Sequence, residues 1–143
     1  MRYLILLLIS ATILSCGYDS YQYTEDIVGE WTAKSIVIKE KKYTMEKTKF
    51  VINFDKDLTY SVDSELNKIA NDYYFESIPF RGKGQYQGDY AVVSENMLRL
   101  KEQYRDKITF TYMAINNDEL TLTYISRDNV KIITVFTKTS KND

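Results

Sequence analysis

The sequence predicts an all-β domain: an eight-stranded antiparallel up-and-down barrel. Three observations lead there. Over most of the chain, apolar residues alternate at a period of two, the spacing that turns one face of a strand indoors. The alternating segments are joined by a few polar residues, and short connections select antiparallel neighbours, because a parallel crossover needs about a dozen residues or more. Tyrosine is unusually common, with 13 in 143 residues, and it suits a half-buried pleated surface where the hydroxyl stays wet. An open sheet of this many strands would leave two long edges, which closure removes. A two-sheet sandwich is the rival arrangement.

The domain is expected over residues 27–139. It opens with Ile27-Val28-Gly29-Glu30-Trp31-Thr32-Ala33-Lys34-Ser35-Ile36-Val37-Ile38, where the chain's single tryptophan follows a glycine by two positions. Glu40-Lys41-Lys42 reads as a polar turn. Phe50, Ile52 and Phe54 alternate on one face, Asp55-Lys56-Asp57 supplies turn chemistry, and alternation resumes over 58–62, so the pair reads as a hairpin. Over 65–74 the spacing changes. Leu66, Ile69, Ala70, Tyr73 and Tyr74 fall three and four apart, behind Ser64 as an N-cap, which predicts a short amphipathic helix. A helix this short needs the sheet to dock on, as a lid over one barrel end or as part of the core.

Pro79, Gly82 and Gly84 then interrupt either period and mark a loop. Strands are predicted again over 86–93, 97–103, 107–115, 119–124 and 130–138, with turns at Ser94-Glu95-Asn96, Asn116-Asn117-Asp118 and Arg127-Asp128-Asn129. In 107–115, Ile108, Phe110 and Tyr112 share one face and Thr109 and Thr111 the other. The apolar set is expected to face inward. Leu120, Leu122 and Tyr124 share a face in the next strand.

Composition removes several classes of function. The chain has no histidine, which takes away the commonest general base, the Ser-His-Asp system and most zinc sites. Its single cysteine allows no internal disulfide. The formal net charge is −1 and no basic stripe is present, so nucleic acid is not an expected partner. Asp55 with Asp57, and Asp118 with Glu119, have the look of acid–base pairs, but each sits in a predicted turn that accounts for the residue type. No companion ligands follow Asp55-Lys56-Asp57 at calcium-loop spacing. No catalytic residue, metal or cofactor is expected.

Residues 1–15 begin with a basic Arg2 and continue through Leu4-Ile5-Leu6-Leu7-Leu8-Ile9, which is the pattern of a secretory signal peptide and too short for a membrane span. The run ends in Leu14-Ser15-Cys16-Gly17, which resembles the lipobox of bacterial lipoproteins. The resemblance implies acylation of Cys16, with palmitate among the chains, and a membrane anchor at the first mature residue. Gly17 in place of aspartate is compatible with outer-membrane sorting in such lipoproteins. Residues 16–26 are polar apart from three tyrosines and read as a lipidated tether.

Gly29-Glu30-Trp31 at the head of the first strand, with Phe136-Thr137-Lys138 at the end of the last, resembles the lipocalin pattern, and the mature domain is similar to lipocalin-like domains of bacterial lipoproteins. That resemblance implies a tryptophan closing the barrel base under a terminal cation. The Thr-Asp-Tyr motif of true lipocalins is absent. Two functions fit these features. In one, the barrel holds a small apolar or amphipathic ligand lined by Trp31, Phe54, Tyr60, Phe110, Tyr112, Tyr124 and Phe136. In the other, the core is filled and the lipoprotein serves an envelope protein as partner, through exposed aromatics such as Tyr73, Tyr74, Phe75 and Phe80. A connected cavity of several hundred Å³ separates the first from the second.

Overall fold

The computed structural model describes residues 24–66, 84–105 and 107–139. Nine strands run among them: β1 (Gly29–Ile38), β2 (Lys41–Thr44), β3 (Phe50–Phe54), β4 (Thr59–Ser64), β5 (Gly84–Ser94), β6 (Met97–Glu102), β7 (Ile108–Asn116), β8 (Glu119–Ile125) and β9 (Lys131–Lys138). Every pairing is antiparallel, and from β3 to β9 each strand pairs with the next.

β1 closes the circuit. Along one edge it pairs with β9, from Trp31↔Lys138 to Ile38↔Ile132. Along the other it carries two short strands end to end, β3 on its first half (Gly29↔Phe54 to Thr32↔Val51) and β2 on its second (Ser35↔Thr44 to Ile38↔Lys41). β2 and β3 therefore share one position, and the barrel has eight, as the sequence predicts. The sandwich alternative fails because β1 and β9 pair.

β2 itself was hidden in the sequence. Lys41 and Lys42 form part of a strand, not of a turn, and the turn lies one step earlier at Lys39 and Glu40, both with positive φ (47° and 66°). Two consecutive residues in that region make the tight hairpin connection usually given to Asn-Gly. Only Tyr43 in β2 is even half-buried, so no apolar alternation announces the strand.

The bulge in β1 has a larger effect. Between Ala33 and Ser35 the register with β9 slips by one residue. Trp31 and Ala33 face inward before it and Ile36 and Ile38 after it, so the bulge changes which parity faces the core. A second bulge, between Val92 and Ser94 in β5, leaves Val93 on the outside. At Gly88 the inward face of β5 carries no side chain because there is no room. A Cβ there would collide with the Lys101 carbonyl oxygen and lie 2.8 Å from Tyr60 Cε1, so Tyr60 occupies the place a larger residue would take.

The helix predicted over 65–74 lies, beyond Leu66, outside the described residues. Glu65 and Leu66 are not helical, and Leu66 is buried. The helical turn that is described spans 24–27, in the last residues of the predicted tether and the first of the predicted strand. Its Ile27 is fully buried.

Candidate functional site

The barrel interior is the predicted ligand site, and aromatic rings occupy it. Phe50 meets Phe136 edge-on with centroids 5.3 Å apart, and Phe54 meets Tyr90 edge-on at 5.0 Å and lies tilted against Tyr60 at 6.3 Å. Trp31, Phe54, Tyr60 and Phe136, four of the predicted lining residues, are in this packed core. Tyr124 is half-buried and packs against it. Tyr90 joins this core although it is not among the predicted lining residues; the alternation Tyr86-Gly88-Tyr90 marks it as inward-facing. Its hydroxyl donates to the Asp55 carbonyl oxygen at 2.9 Å. Burial first, and then the Asp55 and Asp57 carboxylates, push that hydroxyl up to about 12.

One end of the barrel is closed by the helical turn. Trp31 Nε1 donates to the Ile27 carbonyl at 2.7 Å, which satisfies the one polar atom of a fully buried ring. Lys138 Nζ stands 5.1 Å from the Trp31 ring centroid and donates to the Asp26 carbonyl at 3.4 Å. This is the cation-over-tryptophan base the resemblance implied. Gly29, at φ +130°, lies beside the same lysine: a Cβ there would sit 3.0 Å from Lys138 Cε. The position tolerates a side chain poorly on both counts.

Phe110 and Tyr112, the other two predicted lining residues, point out of the barrel. They are 55% and 50% exposed, and Ile108 before them is 52% exposed. Thr109, Thr111 and Met113 face in instead. The reason lies in the neighbouring strand. β6 turns Leu98 and Leu100 inward and Arg99 outward, and the register sets Thr111 opposite Leu98, Thr109 opposite Leu100 and Phe110 opposite Arg99. Facing residues in an antiparallel pair share a face, so β7 had to follow. The cost of burying threonine is met at Thr111, whose hydroxyl donates to the Thr123 carbonyl at 2.9 Å.

Three clefts lined by described residues lie on the outside or at the closed end. A cleft of about 660 Å³ runs over β3, β4 and β5, lined by Val51, Asn53, Ser61, Gln85, Gln87 and Tyr104 among others. Lys49 and Asp63 form an ion pair at 2.5 Å on its wall, and Gln85 Nε2 donates to the same carboxylate at 3.2 Å. The hydrogen bond from Lys49 and then that from Gln85 hold the Asp63 carboxyl below the ordinary range, and Asp63 in turn raises Lys49. A second cleft, of about 890 Å³, lies at the closed end beside Gly29, Phe54 and Lys138. A third, of about 260 Å³, sits where Asp26 meets Glu95, Asn96, Ala114 and Ile115.

The carboxylate pair in the β3–β4 turn is occupied by turn chemistry. Asp57 Oδ1 accepts from the Thr59 hydroxyl at 2.6 Å and from its backbone N–H at 3.1 Å, which lowers its pKa. Asp55 accepts from Asn53 Nδ2 at 2.9 Å. Cys16 and the aromatic group Tyr73, Tyr74, Phe75 and Phe80 lie outside the described residues.

No protein-family model matches the chain, and no curated protein matches it. Among solved structures, a redesigned β-barrel is similar over 82% of this chain and 96% of its own, at 8% identity and a TM-score of 0.49.

Proposed function

We propose that the chain is a lipid-anchored lipoprotein of the bacterial cell envelope, assigned to the outer membrane by its Cys16-Gly17 junction, whose barrel is a solid body working through its outer surface. Its partners are then the membrane and an envelope protein, and it carries out no chemistry of its own. The kinship with lipocalin-like domains belongs to this proposal, supported by Trp31 under Lys138 at the barrel base.

One observation carries the reading. Trp31, Phe50, Phe54, Tyr60, Tyr90 and Phe136 are all essentially without solvent contact and stand in the space a ligand would need. An eight-stranded barrel is just wide enough for side chains to fill or for one small ligand, and these rings take the first option. The seven residues offered as a ligand lining do not form one surface, because Phe110 and Tyr112 face outward. Support for the anchor comes from the leader and from Leu14-Ser15-Cys16-Gly17.

The test is native mass spectrometry of the protein extracted from its own envelope, after growth with labelled palmitate. The proposal expects a chain beginning at Cys16, carrying label, with no further retained mass. A small molecule that travels with the protein and leaves on unfolding would restore the enclosed-ligand reading. Absence of label, or its persistence in Cys16→Ser, would remove the anchor.

A further inference from the structure

The outer wall of β6, β7 and β8 is unlike the rest of the barrel's outside. Its middle row is Ile108, Phe110 and Tyr112, each half exposed. The strand register fixes the neighbours: Lys101 beside Ile108, Arg99 beside Phe110 and Met97 beside Tyr112 on β6, and Thr123 beside Tyr112 on β8. Ile125 follows at the end of β8, also half exposed. The row after that, on β9, brings Lys131 opposite Ile125 and Ile133 opposite Thr123. Exposed aromatics interleaved with long cationic side chains make a surface suited to an anionic lipid headgroup layer, where rings sit at the boundary and cations meet phosphates.

Two further observations say what covers this wall. The first is where the anchored segment arrives. Asp26, in the helical turn, lines a cleft with Glu95, Asn96, Ala114 and Ile115, so the turn that follows the anchored segment in the chain sits beside the end of β7. The seven residues 17–23, at no more than about 3.6 Å each, reach about 25 Å, enough to let the barrel lie down along a strand's length. The second is charge. The anchor end of the barrel carries Asp55, Asp57, Glu95, Asp118 and Glu119 against Lys56 and Lys138, a surplus of carboxylates, whereas Arg99, Lys101 and Lys131 lie along the wall towards the other end, with Lys107 and the Arg127-Asp128 pair in the flanking connections. Asp89, opposite Lys101, is an acidic residue at the wall's margin. Standing on the anchor end would press carboxylates against anionic lipid; lying on the wall presents cations. A second copy of the chain fits less well, because a two-fold contact sets the same cations against each other.

We propose that the barrel lies on the anionic bilayer that anchors it, with Ile108, Phe110 and Tyr112 at the headgroup boundary and Arg99 and Lys101 on lipid phosphates. This rests on the reading that Cys16 carries lipid. It leaves the polar cleft over β3, β4 and β5 turned away from the membrane, free for a protein partner.

The test uses the acylated protein in vesicles of phosphatidylethanolamine with phosphatidylglycerol. Its intact mass is taken first, so that a missing acyl group shows as failure of the anchor and not of the wall. Acylation consumes the single cysteine, so Thr123→Cys and Ser61→Cys each give one free thiol for a spin label, on the wall and on β4 respectively. The expected result is that the label at 123 becomes several-fold more accessible to oxygen and less to a water-soluble nickel chelate, while that at 61 stays aqueous. The shift should weaken in phosphatidylcholine vesicles, and vanish with Phe110→Asp and Tyr112→Asp together, at unchanged acylation and melting temperature. A label at 123 that stays aqueous on anionic vesicles overturns the proposal. So does protection at 123 that depends on protein concentration without lipid, which assigns the wall to a second copy, or that requires an added envelope protein.

Discussion

At Gly88 the barrel admits no side chain. Gly88→Ala would drive a methyl into the Lys101 carbonyl and the Tyr60 ring, and overpacking of this kind costs about 1–3 kcal/mol, read as a lowered urea midpoint with unchanged slope. Trp31→Ala removes the largest fully buried side chain and leaves the Ile27 carbonyl unpaired by the ring, so a loss of about 3–5 kcal/mol is expected. Lys138→Met keeps the stem over the ring and removes the charge together with the long, exposed hydrogen bond to the Asp26 carbonyl, which predicts a loss of about 0.5–1 kcal/mol. Tyr90 gives the fold an alkaline limit. Its hydroxyl is held protonated, with a value pushed up from 10.0 to about 12. A raised folded-state value means the stabilisation is whole below the unfolded value and drains away as pH rises from about 10 to about 12. The melting temperature should fall through that window, and less so in Tyr90→Phe.

At the scale of single elements, β7 and β2 are where sequence and structure part. If Thr111 is inside and Phe110 outside, Phe110→Thr should change stability by no more than about 0.5 kcal/mol, while Thr111→Phe should cost at least about 1–3 kcal/mol; urea titration of the two variants decides it. The period of β7 was legible, because its residues do alternate. The sign was not, because Ile108, Phe110 and Tyr112 outweigh Thr109, Thr111 and Met113 in hydrophobicity, and only the pairing with Leu98 and Leu100 says which set is indoors. β3 and β8 match the sequence expectation, since each sets its larger apolar residues inward; β4 matches it at Tyr60 and Val62, but Leu58, expected to open the strand, lies exposed in the turn with a positive φ. β2 was missed because a short strand with mostly exposed residues has no pattern to find. Its turn offers a check: Lys39→Asn with Glu40→Gly suits the positive φ at both positions and should raise the melting temperature.

For the whole molecule, the closing pair was the most legible feature. Tryptophan after a glycine at one end of the chain and Phe-x-Lys at the other meet as Trp31↔Lys138 in the register. What sequence left open was whether the ring of strands encloses space or side chains, since a core residue and a lining residue have the same period. The barrel is filled and turns part of its aromatic surface outward. Hydroxyl-radical footprinting of the purified protein, read by peptide mass spectrometry, measures both halves of that claim at once. Phe110 and Tyr112 should oxidise readily while Trp31, Phe54, Tyr60, Tyr90 and Phe136 stay protected. Ready oxidation of the second group, with protection of the first in the free protein, would mean an open barrel with an aromatic lining and would contradict it.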